Sequence, residues 1–188
     1  MNYEVEQKHR IEDVAKLLSA LSKRGLVLGA TIEQEDRYFA HPCRDFAKTD
    51  EALRIRTVGG YGFVTYKGPK LDTTTKTRRE LELPLDLNDV DGSHFAELLG
   101  SLGFSSVATV RKQRRLFQIA RGDRLIEGAL DDVEGLGTFV ELELHADEGS
   151  LDEARRLVAT VAAELELGPS ERRSYLEMLL EKRRPRDN

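Results

Sequence analysis

The side chains in this sequence that could do chemistry recur two residues apart. Arg54 and Arg56 form one pair, Lys112 and Arg114 a second, and Glu141 and Glu143 an acidic third. Glu4, Glu6 and Lys8 keep the same spacing near the N-terminus, as do Thr65 with Lys67, and Lys76, Arg78, Glu80 and Glu82. A cluster of Arg and Lys suits phosphate, because Arg offers a bidentate fork and Lys a compact point charge. Clustered carboxylates suit a hard cation with oxygen ligands, Mg²⁺ or Mn²⁺. Together the two sets describe metal-assisted phosphoryl chemistry. No Walker A or Gly-rich dinucleotide motif is present, so side chains rather than a backbone cradle must hold the phosphate.

A spacing of two is the spacing of a strand face, since successive strand residues point to opposite sides of a sheet. The faces opposite these charges are apolar: Val5 in the first strand, Leu53 and Ile55, Leu81 and Leu83, and Val140, Leu142 and Leu144. On one antiparallel strand such a charged face simply meets solvent. Across the whole chain the signs segregate, although exposed surfaces usually intersperse them. Like charges two apart on one strand point to a ligand that neutralises them.

Strands are expected over Asn2 to Arg10, Leu26 to Ala40, Ala52 to Val58, Tyr61 to Lys67, Thr75 to Leu83, Val107 to Arg121, Arg124 to Leu130 and Thr138 to His145. Gly59-Gly60 between two alternating runs marks a hairpin turn. Helices are expected over Ile11 to Arg24, from Asp91-Gly-Ser to Leu102, over Leu151 to Leu165 and over Ser174 to Arg183; His41 to Asp50 reads as a loop. The fold expected is an all-β core with helices (α+β): an eight-stranded antiparallel closed β-barrel with a charged interior and covering helices. About eight twisted strands suffice to close a barrel around one small ligand. Buried charges cost several kcal/mol each unless paired or ligated, so such a lumen must be wet and hold an anion and metal ions.

The 188 residues suffice for one sizeable core, and no linker-like stretch divides them. Charged residues make up 34%, above the usual quarter, which raises the question of whether all of them are outside. The net charge of −5 gives no electrostatic support for nucleic-acid binding. The single cysteine, Cys43, leaves no disulfide framework and fits a reducing compartment. The first residues are charged at once and no run approaches a membrane span, so a cytoplasmic protein without a membrane partner is expected.

The ordered motifs resemble one family. The run Glu4-Val-Glu6-Gln-Lys8 is similar to the ExExK signature of the CYTH, or triphosphate tunnel metalloenzyme, superfamily, which includes class IV adenylyl cyclases, thiamine triphosphatases and inorganic triphosphatases. Arg54 with Arg56, Thr65-Tyr-Lys67-Gly-Pro69, Glu80 with Glu82, Lys112 with Arg114, Leu130-Asp131 and Glu141 with Glu143 follow in family order. The resemblance implies a closed eight-stranded tunnel over residues 1–183, with 184–188 as a polar tail. It implies that Glu4, Glu6, Glu80, Glu82, Asp131, Glu141 and Glu143 hold metal, and that Lys8, Arg54, Arg56, Lys67, Arg78, Lys112 and Arg114 hold phosphate. Catalytic roles fall to Lys8, Lys112 and Asp131; for Arg78 and Glu82 an ion pair inside the wall competes with a direct role. His9, His41, His94 and His145 match no signature position. The substrate implied is a small-molecule triphosphate, and a homodimer is possible for the family.

Two reactions compete within the resemblance: cyclisation of ATP to cyclic AMP and pyrophosphate, or hydrolysis of a triphosphate. The stretch from His41 to Arg54 and the run Arg173-Ser-Tyr175 resemble proteins of the cyclase branch. The second arginine (Arg56) and second glutamate (Glu143) resemble the triphosphatases. A binding module that holds polyphosphate without turnover is the non-enzymatic alternative, and the carboxylates argue against it.

Overall fold

In the computed structural model residues 3–69 and 79–183 are described. The sequence alternation becomes eight strands: β1 (Tyr3–Arg10), β2 (Thr31–Ala40), β3 (Ala52–Val58), β4 (Tyr61–Lys67), β5 (Glu80–Pro84), β6 (Ser105–Arg121), β7 (Arg124–Val133) and β8 (Gly137–Ala146). All pairings are antiparallel, in the order β1-β8-β7-β6-β2-β3-β4-β5. The β3–β4 turn is made by Gly59 and Gly60, both at positive φ (56° and 82°), which L side chains rarely adopt and a two-residue hairpin requires. The 17 residues of β6 reach both neighbours: its first part pairs with β2, its second with β7. The β2–β6 ladder has a register shift between Tyr38 and Phe39.

This sheet is curled and open, which corrects the closed barrel expected from the sequence. Among the described residues no backbone ladder joins the edge strands β1 and β5. Their edges meet through side chains instead: Lys67 Nζ lies 3.5 Å from Glu4 Oε2 and 2.5 Å from Glu80 Oε2. Glu4 and Glu6 on one edge and Glu80 and Glu82 on the other face the same cavity. Like charges opposed across a strand pair are destabilising, so a direct ladder at this seam would bring carboxylates together. The first part of the strand expected from Thr75 lies outside the described residues, as does the 184–188 tail.

Helices cover the outer, apolar face. α1 (Val14–Lys23) begins where the Asp13 carboxylate accepts from the Lys16 amide, three residues later than the periodicity alone suggests. Its Leu17 and Leu21 join Val158 and Val161 of α4 (Leu151–Glu164) over Val5, Leu142, Ile126 and Phe117. α2 (Phe46–Thr49) is a single turn capped by Asp45, within the segment expected to be a loop. α3 (Ser93–Ser101) brings Leu99 onto Ile55 and Phe39. α5 (Tyr175–Arg183) behaves differently. Its Tyr175 and Met178 pack with Tyr38, Val110, Val133 and Phe139, residues on the charged side of the sheet. That side is therefore polar in its middle and apolar under α5.

Candidate active site

The concave face of the sheet encloses a cavity of about 690 Å³. Register explains what lines it. Lys8 stands opposite Glu141, and Glu6 opposite Glu143, across β1 and β8. Asp36 stands opposite Arg56 and Tyr38 opposite Arg54, while Thr65 faces Glu82 and Lys67 faces Glu80. The even-numbered positions of β1, β2, β3, β5 and β6 and the odd-numbered ones of β4 and β8 thus share one wall, with apolar partners behind them.

The basic wall is built on two buried aspartates. Asp36 (2% exposed) accepts from Arg56 Nε at 2.8 Å and Arg56 Nη2 at 3.0 Å, from Arg54 Nη1 at 3.2 Å, and from the Gln34 amide. Burial works to raise its carboxyl, yet Arg54 and Arg56 hold it far below the usual carboxylate range. Asp131 (fully buried) accepts from Arg114 Nε at 2.7 Å and Nη2 at 2.6 Å, from Lys112 Nζ at 3.0 Å and from the Tyr175 hydroxyl at 2.9 Å. Lys112 is pushed down to about 8, first by burial and then by the Arg114 guanidinium beside it. Arg114 also reaches Glu141.

Asp131 was expected among the metal ligands and is placed otherwise. Both its oxygens are taken by cations and the phenol, and it lies behind the cavity surface rather than on it. Arg78 lies outside the described residues. The other expected residues come together: Glu4, Glu6, Lys8, Arg54, Arg56, Lys67, Glu80, Glu82, Lys112, Arg114, Glu141 and Glu143 all line the one cavity. Lys8 is buried, with its Nζ donating to the Arg173 carbonyl at 2.5 Å. Glu82 accepts from Thr65 Oγ1 at 3.0 Å. Three residues that the motif reading passed over belong to the site: Gln34, Asp36 and Tyr175. The first two alternate with Tyr38 in β2, so the spacing of two carried their signal. Tyr175 arrives from a distant helix; the run Arg173-Ser-Tyr175 resembles the cyclase branch, but nothing in that run places its ring at the site.

The donor chemistry fits a divalent cation. All the cavity carboxylates are hard oxygen donors. Glu6 and Glu143, directly opposed on neighbouring strands, repel unless a positive charge lies with them. Burial raises the Glu4 carboxyl well above the usual range, against the pull of Lys67, and it shares a hydrogen bond with Glu80. Glu80 is held at about 2: burial opposes this, but Glu4 and the Lys67 ammonium outweigh it. A carboxyl pushed up in this way marks a place where positive charge is wanted, a demand that a metal ion would meet. Among the described residues, no three carboxylates, imidazoles or thiols already converge on one point. Two lean on a neighbouring basic side chain instead, Glu143 on the His145 imidazole at 3.1 Å and Glu141 on Arg114.

A family model for the CYTH domain matches residues 2–175. The chain belongs to the CYTH family. A relative from Methanocaldococcus jannaschii, provisionally named as an adenylate cyclase, is 40% identical over 178 residues, covering 93% of this chain and 97% of its own. The adenylate cyclase CyaB of Aeromonas hydrophila is 28% identical over 179 residues, 92% of this chain and 86% of its own. A solved structure of a Pyrococcus horikoshii protein, 41% identical, superposes with a TM-score of 0.85 over 96% of this chain and 99% of its own. No helix among the described residues is long and apolar enough to cross a membrane.

Proposed function

We propose that this CYTH chain, one domain over residues 1–183, is a metal-dependent enzyme acting on the triphosphate of a small molecule. The observation that carries the reading is the shared cavity: Lys8, Arg54, Arg56, Lys67, Lys112 and Arg114 meet Glu4, Glu6, Glu80, Glu82, Glu141 and Glu143 around one space. A pure anion binder gains nothing from the carboxylates, and a pure cation site gains nothing from the guanidiniums.

In this reading the basic wall binds and orients the phosphates, with Asp36 and Asp131 fixing the forks so that little reorganisation is needed on binding. Lys8 and Lys112 supply point charges for the phosphate oxygens of the substrate. Glu6, Glu141 and Glu143, with Glu4, Glu80 and Glu82 across the seam, are the residues that would hold Mg²⁺ or Mn²⁺. Such an ion would neutralise charge on the phosphate oxygens and acidify a bound water. Asp131 is assigned to positioning, since its oxygens are occupied.

Hydrolysis is the first reading of the reaction. Arg56 and Glu143, the residues that resemble the triphosphatase set, both line the cavity. Cyclisation of a nucleoside triphosphate is the second, favoured by the cyclase names of the two relatives. Both readings share the clamp and differ in which phosphorus faces the nucleophile.

Glu6→Gln and Glu141→Gln test the acidic half. Each is expected to lower Mg²⁺- or Mn²⁺-dependent turnover by at least about 100-fold while leaving the melting temperature near wild type, in keeping with the usual loss on removing a group that stabilises transition-state charge. Near-normal turnover in both variants would remove the carboxylates from the site.

A further inference from the structure

Tyr175 sits at the start of α5, more than 160 residues after Lys8, yet touches the centre of the basic wall. Its hydroxyl donates to Asp131 Oδ2 at 2.9 Å. The Lys8 ammonium stands 4.2 Å from its ring centroid and the Lys112 ammonium 5.0 Å. Burial, together with Glu141 and Asp131, pushes the phenol well above its ordinary range, so it remains a donor. Phe139 meets the ring edge-on at 5.2 Å and 65°.

We infer that Tyr175 is a positioning residue of the triphosphate site, which sets the Lys8 and Lys112 ammonium groups through its ring and the Asp131 carboxylate through its hydroxyl. This rests on the reading of the cavity as a triphosphate site. Two long, flexible side chains brought close together repel, and each could swing to a nearby carboxylate. An aromatic face attracts an ammonium without neutralising it or taking its donors, so both cations stay charged and aimed. A carboxylate in the same place would pair with them and compete with phosphate. The hydroxyl adds a donor to Asp131, whose other partners are Lys112 and Arg114.

The segment that delivers the ring is itself fastened to β1. The Glu171 amide donates to the Lys8 carbonyl at 2.6 Å, His9 bridges to Ser170, and His9 Nδ1 lies 2.7 Å from the Gly168 carbonyl. Lys8 therefore meets the C-terminal segment through its main chain, its ammonium and the ring. The C-terminal segment is part of the site's wall and not only a cover over it.

The test compares three variants of the full chain, reading the dissociation constant for inorganic tripolyphosphate by calorimetry, kcat and KM separately, and the melting temperature. Met178 is the packing control: it is buried in the same cluster on the same helix. Tyr175→Leu is expected to weaken tripolyphosphate binding about tenfold or more, because both ring–ammonium contacts are lost. Tyr175→Phe keeps the ring and is expected to lose about threefold, the scale of one hydrogen bond. Met178→Ala is expected to lower the melting temperature while leaving the dissociation constant and KM unchanged. If Tyr175→Leu does not fold, the comparison of Tyr175→Phe with Met178→Ala decides. Losses of affinity that track losses of stability in all variants, or normal binding by the Tyr175 variants, would overturn the inference and leave the triphosphate reading standing. A wild-type chain that does not bind tripolyphosphate would overturn both.

Discussion

Removing the Asp36 carboxylate would leave two guanidiniums, one of them buried, without their shared counter-ion. Breaking a buried ion pair from one side costs about 3–5 kcal/mol, since the remaining charge stays desolvated. Asp36→Asn is therefore expected to lower unfolding stability by about that amount in urea titrations. A carboxyl held below its unfolded value contributes stability that is present above about pH 4 and lost as pH falls towards the folded value. The variant should accordingly show a weaker acid dependence than wild type below pH 4. Lys112 gives the opposite end of the pH scale. With its ammonium pushed down to about 8, it loses charge as pH rises through that value, and tripolyphosphate affinity should fall with it. Lys112→Arg stays charged and should remove this inflection from an affinity-versus-pH curve; an unchanged inflection would exclude Lys112 as its source. The motif residues were legible because their spacing of two is a strand face. Gln34 and Asp36 obeyed the same rule, but lay in a run of mixed charge, Glu33 to Arg37, where neither face is apolar enough to fix which one points inward.

The strand and helix pattern was legible wherever one face is apolar and a breaker follows, as in the β3–β4 hairpin and α1. The end of β7 was not: the strand was expected to stop at Leu130, yet the ladder with β6 runs on to Val133, with Arg114 and Lys112 satisfying Asp131 from within. β7 also contains a packing device. Gly128 lies opposite Phe117, and a Cβ there would sit 2.2 Å from the ring carbons. The ring is buried in the core beneath α1 and α4. Gly128→Ala is expected to destabilise by about 1–3 kcal/mol through overpacking. At a few degrees per kcal/mol for a domain of this size, calorimetry should show a fall of about 3–10 °C. A melting temperature within a degree of wild type would mean that the β6–β7 pair can shift to make room.

At the scale of the molecule, helices cover the apolar outside while charges line the hollow, an arrangement that alternation and sign segregation could anticipate. Closure was a different matter. Whether the first and last strands of a curled sheet pair depends on what stands at the seam, here four glutamates and Lys67, and no single strand's pattern contains that information. The docking of α5 into the concave face is likewise a long-range event, fixed by contacts between Lys8 and residues 171–175. What results is a cavity whose cations and carboxylates are held in place by one another and by Asp36 and Asp131 before any ligand arrives. The most direct measurement is ³¹P NMR of the products formed from ATP and from inorganic tripolyphosphate with and without Mg²⁺ or Mn²⁺. The account predicts metal-dependent cleavage that stops on chelation, releasing orthophosphate and leaving ADP from ATP or pyrophosphate from tripolyphosphate; pyrophosphate with cyclic AMP from ATP would instead select the cyclase reading. Unchanged spectra for both substrates, or turnover undiminished by a chelator, would contradict it.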